Sequence, residues 1–292
     1  MDDVQHEEFV CGPNAVESLL SNSPERVHRL VFLQDSGKPR LYELQKMAKK
    51  LKIHYQQLPP AKLDAISTRN QGVIALCHQR EMDSWDLVKD AFLDSDGQEL
   101  IVVASGLEDP RNLGACIRSC VALGVDALLL PAKGNCGLTP VVARTSAGAL
   151  EQLTICRPGK LEHELAELKA AGYQIIGLDG RSQKGSWEVG YGEKMVLIIG
   201  GEDRGIPPYL RKQCDALIRL PMSQIAHSYN ASVALSLGLY EIARSREFEG
   251  MKTAPPVFER TPREGDDFKG KDTEKPKPQL KGHAEVQDSD LI

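Results

Sequence analysis

Three polar segments, each following a run of aliphatic residues, carry the side chains that could do chemistry. The first contains Asp109, Asn112 and Arg118 in the pattern Asp-Pro-x-Asn-x-Gly-x-x-x-Arg. The second reads Gly-Gly-Glu-Asp-Arg-Gly over 200–205, and the third ends in Ser-Tyr-Asn-Ala-Ser over 228–232. Carboxylate, amide and hydroxyl groups of this kind can orient a hydroxyl nucleophile and help to remove its proton. Since α/β proteins bind ligands at the carboxyl ends of their strands, the segments predict one shared site.

The glycine-rich segment does not have the pattern of a nucleotide phosphate site. Gly-x-Gly-x-x-Gly does not follow the first predicted strand, and Gly-x-x-x-x-Gly-Lys-[Ser/Thr] occurs nowhere in the chain. Glu202 and Asp203 would repel phosphate but would tolerate a cationic or hydroxyl-bearing ligand. A sulfonium cofactor with an adenosine moiety therefore fits better than NAD, and a nucleotide-dependent oxidoreductase is disfavoured.

The segments must be positioned by an α/β domain with a mainly parallel sheet, because short β-branched runs alternate with helical stretches from residue 101 onwards. The last helix is apolar on almost all sides through Leu239, which indicates burial and leaves one face for a second subunit. The first 80 residues predict a smaller α/β unit, with helices at 13–20 and 39–51 and strands at 26–33, 54–58 and 72–77. In the larger domain the predicted strands are 101–107, 126–131, 173–179, 195–201 and 215–221, and the predicted helices are 112–123, 140–150, 161–171, 207–213 and 229–246.

The net charge of −5 averages segments of opposite sign. Residues 26–80 hold eleven Lys and Arg against three acids, a net of +8, and residues 81–99 hold seven acids against one Lys, a net of −6. From about residue 250 the chain is polar and poor in aliphatic residues, which predicts disorder. We therefore expect a basic domain at 1–80, an acidic linker at 81–99, the larger domain at 100–247 and a disordered charged tail at 248–292.

Metal binding and membrane association are not expected. The seven cysteines include no Cys-x-x-Cys pair and the seven histidines form no cluster, so we expect reduced, mostly buried thiols and no metal. No apolar run approaches the roughly 18 residues of a membrane helix. The first residues are acidic where a targeting peptide would be basic, which favours a cytoplasmic location.

Together the three segments resemble the three motifs of the SpoU (TrmH-like) family of RNA ribose 2'-O-methyltransferases. The N-terminal part, with Gly12, Asn14, Arg26 and Gln71-Gly72-Val73, is similar to the ribosomal-protein-like substrate-binding domain of the RlmB branch, which acts on 23S ribosomal RNA. The resemblance covers roughly residues 9–246. Its motif positions are Asp109, Pro110, Asn112, Gly114 and Arg118, then Gly200, Glu202 and Gly205, then Pro221, Met222, Ser228, Asn230 and Ser232.

The resemblance implies a trefoil-knotted SPOUT domain that binds S-adenosyl-L-methionine in the knot and forms a homodimer with active sites at the interface. It implies that Leu178, Gly200, Gly205, Leu220 and Tyr229 bind the cofactor. It implies catalytic roles for Arg118, Asn112, Glu202, Ser228 and Asn230. Because a guanidinium is essentially always charged, Arg118 is expected to anchor a phosphate or stabilise the developing alkoxide, and any role as a base depends on a neighbour.

Each of these residues also has a simpler structural explanation. Asn112 and Ser228 are good helix caps, Glu202 could bond loop amides, and Arg118 could be a solvated surface residue. Gly200 and Gly205 could be required only for positive φ. The chain departs from the family pattern at Gly201, Asp203, Tyr229, Ala231 and Asn70, without loss of a polar group that the chemistry needs.

The sequence thus predicts S-adenosylmethionine-dependent 2'-O-methylation of RNA, and the RlmB-like architecture favours large-subunit ribosomal RNA. The basic domain would supply phosphate contacts, although a solvated basic helix would have the same composition. A transfer RNA methyltransferase remains an alternative. So does a non-catalytic RNA-binding or ribosome-assembly protein of the same fold, against which the retained polar residues argue.

Overall fold

The computed structural model describes residues 7–202, 204–223, 225 and 227–251. Two sheets lie in this part of the chain, one of four strands and one of six. The predicted charged tail, apart from its first four residues, and Asp203 lie outside the described residues.

The N-terminal sheet has the strand order β1-β4-β2-β3. Strand β4 (Val73–His78) pairs antiparallel with β1 (Glu7–Cys11) and with β2 (Val27–Leu33), and β2 pairs parallel with β3 (Tyr55–Leu58). The helices are α1 (Pro13–Asn22), α2 (Pro39–Lys50) and α3 (Pro60–Ile66), and each has proline in its first turn. Proline is tolerated there because its missing N–H would have no intrahelical partner.

The second sheet is parallel throughout, in the order β10-β8-β9-β5-β6-β7. This confirms the predicted α/β class with a mainly parallel sheet. The strands are β5 (Glu99–Ala104), β6 (Ala127–Leu129), β7 (Thr154–Cys156), β8 (Gln174–Leu178), β9 (Lys194–Ile199) and β10 (Ala216–Ile218). The helices are α4 (Trp85–Leu93), α5 (Pro110–Ala122), α6 (Pro140–Thr145), α7 (Leu161–Ala170), α8 (Pro208–Arg211) and α9 (Ala231–Ser245).

Helices cover both faces of this sheet, and alternate residues of β5 pack on opposite sides. Leu100, Val102 and Ala104 join the core under α5, α6 and α9, whereas Ile101 and Val103 join the core under α4 and α7. Burial on both faces explains why the central strands are continuous aliphatic runs.

Several elements differ from the sequence prediction. The predicted helix 140–150 ends at Thr145, because Ala147 (φ 53°) and Gly148 (φ 93°) turn the backbone left-handed before a short 3₁₀ turn. The predicted helix 207–213 is the four-residue α8. Strands β1 and β7 and helices α3 and α4 are additional. Helix α4 lies within 81–99, the segment expected as a linker, and buries Trp85 against α7.

Hydrogen bonds join the two sheet units at a seam near residue 150. Arg26 Nη1 donates to both carboxylate oxygens of Glu151, at 2.7 and 2.6 Å. Arg80 donates to the carbonyl oxygens of Leu150 (3.2 Å) and Leu153 (2.9 Å). The seam therefore fixes the N-terminal unit against the larger one through charge-assisted bonds at low exposure.

Within the described residues, no helix is long and apolar enough to span a bilayer, and no group of His, Cys, Asp or Glu has the arrangement of a metal site. The seven cysteines are free, and Cys77, Cys116, Cys120 and Cys156 are buried.

Candidate active site

A cavity of about 420 Å³ lies at the carboxyl ends of β8, β9 and β10, where α9 begins. Its walls include all five residues expected at the cofactor: Leu178, Gly200, Gly205, Leu220 and Tyr229. Tyr229 stands where the family commonly has Leu, and its hydroxyl donates to the carbonyl oxygen of Pro221 at 2.8 Å. That bond links Pro221 and Tyr229, the two ends of the segment that forms this side of the cavity.

The described residues of the glycine-rich segment, 200–202, 204 and 205, lie along one side of the cavity. A Cβ on Gly200 would lie 1.9 Å from the carbonyl carbon of Gly205, so close backbone approach, and not positive φ, excludes a side chain there. Gly205 does have positive φ, at 63°. Its N–H donates to the carbonyl oxygen of Gly201 at 2.9 Å and closes the loop.

Glu202 is the centre of a polar cluster that brings the three motif segments together. Its Oε1 accepts hydrogen bonds from Asn230 Nδ2 at 2.7 Å and from Asn112 Nδ2 at 3.1 Å. The other Asn230 amide hydrogen is donated to Asn112 Oδ1 at 3.0 Å. The backbone N–H of Ala231 also approaches Oε1, at 3.4 Å. Each motif thus contributes one side chain to a closed hydrogen-bonded triangle.

The helix-capping explanations hold for only part of the cluster. Asn230 is the N-cap of α9, since its Oδ1 accepts from the backbone N–H of Ser232 at 3.0 Å. Asn112 is not a cap, because Asp109 caps α5 by accepting from the N–H of Arg111. Ser228 precedes the α9 cap by two residues and lies on the cavity wall. His227 also lies on that wall.

Two expected catalytic residues lie outside the cluster: Ser228, which is on the cavity wall, and Arg118. Arg118 is exposed on α5, and it makes no hydrogen bond or ion pair with the residues the structure describes. Arg118 lies six positions after Asn112, which places it about 9 Å farther along the helix axis and on a different helix face. The cluster within one chain therefore lacks a cation from the first motif.

Asp179 was missed by the sequence reasoning, although a carboxylate at the carboxyl end of a predicted strand, here 173–179, is a usable signal. It follows β8, lines the cavity and is 8% exposed. Burial alone favours the neutral acid, but hydrogen bonds from Arg181 and the charge of Arg211 lower the pKa of Asp179 below its ordinary value. A buried, ionised carboxylate beside the cavity can hold a cation or accept from hydroxyl groups.

A second cavity, of about 570 Å³, lies over the ends of β9, β5 and β6. Ser105, Glu108, Lys133 and Tyr209 are among its lining residues. Asn112 opens into this second cavity, and the 200–205 loop, with Glu202, lines both cavities. Two chambers with a shared polar wall can hold two reactants on either side of one carboxylate.

Asn70, the departure from the pattern in the N-terminal unit, has a structural role. Its Nδ2 donates to Asp64 Oδ1 and to the carbonyl oxygen of Ser67, both at 2.7 Å. Its Oδ1 accepts from the N–H of Gly72 at 2.7 Å. It therefore fixes the turn that leads into β4.

Fold and site together define an α/β group-transfer enzyme with a site at the carboxyl edge of its parallel sheet. Two family models match the chain: "SpoU rRNA Methylase family" over residues 99–240 and "RNA 2'-O ribose methyltransferase substrate binding" over residues 9–82. The chain is 34% identical over 242 residues to the 23S rRNA (guanosine-2'-O-)-methyltransferase RlmB of Xylella fastidiosa, covering 82% of this chain and 97% of that protein. It is 32% identical to YacO of Bacillus subtilis, named for the TrmH family of tRNA/rRNA methyltransferases, covering 83% and 97%.

Solved structures show the same fold. AviRb, a SpoU methyltransferase of Streptomyces viridochromogenes solved with AdoMet, has a TM-score of 0.69 and 24% identity over 83% of this chain and 91% of that one. An RNA 2'-O ribose methyltransferase structure has a TM-score of 0.68 and 25% identity over 84% and 91%. The chain belongs to the SpoU family of RNA 2'-O-methyltransferases. S-adenosylmethionine is the cofactor of this family, as the resemblance in the sequence implied. The trefoil knot stays a prediction.

Proposed function

We propose that this protein methylates a ribose 2'-oxygen of large-subunit ribosomal RNA, with S-adenosylmethionine as the methyl donor. The observation that carries the proposal is the Glu202 cluster on the wall that the two cavities share. Support for the RNA class comes from the RlmB-named relatives, which match both units of the chain. Ribosomal RNA as the substrate also implies a cytoplasmic location.

The first cavity fits the cofactor. Its loop leaves no space for a side chain at Gly200, which suits backbone contacts to a flat adenine, and Leu178 and Leu220 supply apolar surface. The ionised Asp179 suits a ligand with hydroxyl groups and a positive charge. When bound, S-adenosylmethionine supplies an electrophilic methyl group on a sulfonium centre.

The acceptor nucleotide fits the second cavity. Oε2 of Glu202 has no hydrogen-bond partner among the described residues, so it is free to accept from the 2'-hydroxyl while Oε1 is held by the two asparagines. Positioning of this kind converts a collision into an oriented displacement. Lys133 also lines that cavity, and it makes no salt bridge with the described residues. Its ammonium group can therefore neutralise a phosphate oxygen.

Arg118 would complete the site from a second copy of the chain. Ser119, its neighbour on α5, bonds Ser236 of α9 at 2.7 Å, and α9 exposes Val233 (45%), Leu237 (39%) and Tyr240 (51%) at helical spacing. An exposed apolar stripe on an otherwise buried helix is typical of a subunit interface. A homodimer built on this stripe would bring a partner's Arg118 near the interface, where it can stabilise the developing alkoxide or anchor a phosphate.

The test is methyl transfer from labelled S-adenosylmethionine to unmodified transcripts of 23S ribosomal RNA and of transfer RNA from the organism that carries the gene. We expect label in the 23S transcript at one position, which then resists alkaline cleavage because the 2'-oxygen is blocked. Label only in transfer RNA would favour the alternative substrate. RNA binding without any transfer would favour the non-catalytic assembly protein.

A further inference from the structure

Trp187 is exposed to an unusual degree for tryptophan. Its exposed fraction is 56%, whereas Trp85, the only other tryptophan, is 4% exposed and donates from Nε1 to Glu164 at 2.8 Å. Tryptophan is enriched where proteins make contacts, because its ring offers a large apolar face and one polar N–H. Nothing in the reaction described above uses Trp187.

The ring is held in place by its surroundings. It packs against Gly185, where a Cβ would come within 2.5 Å of the indole. The guanidinium of Arg219 lies over the ring, 5.8 Å from its centroid. Arg219 is itself fixed, because Nη1 donates to the carbonyl oxygens of Ser182, at 3.0 Å, and of Gln183. A cation and an indole in this arrangement form a rigid surface with little entropy left to lose on binding.

The segment that carries Trp187 has more cations than acids, with Arg181 and Lys184 against Glu188 over 181–188. Lys184 is tied to Arg219, because the backbone N–H of Arg219 donates to the carbonyl oxygen of Lys184 at 2.9 Å. The side chain of Arg181 is 74% exposed and is paired with Asp179 at 3.3 Å. The carboxylate of Glu188, the residue after Trp187, accepts a hydrogen bond from the backbone N–H of Gly185. We name this surface the Trp187 platform: Trp187, Arg219, Arg181 and Lys184.

The platform adjoins the first cavity. Arg219 lies between Ile218 and Leu220, which both line that cavity, and Arg181 lines it as well. The backbone bridge between Gly185 and Arg219 fixes the loop to the end of β10. The ring therefore lies beside the cavity assigned to the cofactor, and a base stacked on it belongs to a nucleotide other than the one in the second cavity.

We propose that the Trp187 platform stacks an unpaired base of the RNA substrate, beside the cavity assigned to the cofactor. The inference rests on the proposed function and adds a binding site to it. An aromatic face flanked by Arg and Lys matches the two features of single-stranded RNA, its stacking bases and its phosphates. A second copy of this chain is the weaker occupant, because a two-fold contact of this surface with itself would oppose like charges.

The experiment uses the intrinsic fluorescence of the full chain. Wild-type protein and Trp187→Phe are titrated with a single-stranded oligoadenylate of about 12 nucleotides and with a blunt duplex of the same length, while a fluorescein label on the RNA reports binding by anisotropy. Stacking quenches indole emission, and buried Trp85 provides the unchanged background. We expect saturable quenching by the single strand, little quenching by the duplex, and loss of quenching in Trp187→Phe.

Affinity provides a second measurement. Trp187→Ala should weaken single-strand binding by about 5- to 100-fold, and Trp187→Phe should restore part of it. Lys184→Gln should reduce the slope of log K against log salt by about 0.7, as expected for one lost phosphate contact. Lys160→Gln is the matched control, since Lys160 follows β7 at the opposite edge of the sheet from β10.

Two results would overturn the inference. RNA binding with unchanged Trp187 emission would show that the ring is not at the RNA, while methyl transfer by the wild type would leave the proposed function intact. Emission that changes with protein concentration in the absence of RNA, together with a changed oligomeric state in Trp187→Ala, would assign the platform to a contact between copies.

Discussion

The side-chain amide of Asn230 donates to Oε1 of Glu202 at 2.7 Å, while the oxygen of the same amide caps α9. One residue therefore ties the glycine-rich loop to the start of the last helix. Catalytic positioning and helix stability are coupled at this point, so the two effects must be separated by the choice of substitution.

The substitution Asn230→Asp separates catalytic positioning from helix stability. Aspartate caps a helix as well as asparagine does, but it cannot donate to Glu202 and places a second carboxylate beside it. We expect kcat for methyl transfer to fall roughly 100-fold, with a melting temperature close to that of the wild type. Asn230→Ala should lose both the activity and about 1 kcal/mol of stability. Full activity in the aspartate variant would remove Asn230 from the site.

Arg118→Ala tests whether the cation comes from the partner. We expect loss of transfer with normal binding of S-adenosylmethionine, measured by calorimetry. If Arg118 acts across the interface, mixing Arg118→Ala with Asn230→Ala subunits creates mixed dimers with one intact site, which restores about a quarter of wild-type activity. If Arg118 acts within its own chain, every site in the mixture stays damaged and no activity returns.

Gly200→Ala should abolish cofactor binding. The added methyl group would overlap the backbone of Gly205, so the loop must open, at a cost of about 2 kcal/mol or more. The measurements are calorimetric titration with S-adenosylmethionine and the melting temperature. Gly190→Ala is the control, because a Cβ there meets nothing within 4 Å. Equal affinities in both variants would contradict the assignment of the first cavity.

Glu8 makes the stability of the seam depend on pH. Its side chain is 1% exposed, both its oxygens lack hydrogen-bond partners among the described residues, and Arg26, 3.8 Å away, is bonded to Glu151. Burial raises the pKa of Glu8 from 4.5 to about 7, against the opposing charge of Arg26. The folded protein therefore holds this proton more tightly than the unfolded chain does.

Protonation of Glu8 raises the free energy of unfolding. Because the folded-state pKa is the higher one, stability from protonated Glu8 is complete below about pH 4.5 and is lost as the pH rises through about 7. Glu8→Gln should therefore be more stable than the wild type at pH 8, by at most about 3 kcal/mol, and this advantage should disappear near pH 4.5. The measurement is chemical denaturation at both pH values. A pH-independent difference would rule out Glu8 as the titrating group.

The sequence predicted the architecture where apolar runs were long. After their first residues, Glu99 and Lys194, strands β5 and β9 are apolar, and their central positions in the sheet follow from burial on both faces. Strand β7 is the short run Thr154–Cys156, which is followed directly by Arg157 and Pro158, and β1 includes the buried carboxyl group of Glu8, so neither has a readable pattern. Charge counting concealed α4, because the acids of 81–99 lie among the apolar residues Trp85 and Phe92.

The sequence predicted that the three motif segments meet, whereas the catalytic and cofactor-binding roles of their residues stay predictions. Asn112, Glu202 and Asn230 come together as the motif order implied. Asp179 was missed, since its importance depends on Arg181 and on Arg211, which is 32 positions away in the chain. The location of Arg118 relative to the cluster could not be predicted, because one chain does not contain both ends of the proposed contact.

The Arg26–Glu151 bond has a consequence for how RNA is selected. Since the basic unit is fixed against the larger one, the distance between its surface and the Glu202 cluster is constant. An RNA must therefore present a folded element and an accessible ribose at one fixed separation. The enzyme would measure the three-dimensional spacing of its substrate, so two RNAs of unrelated sequence but equal spacing would compete for it.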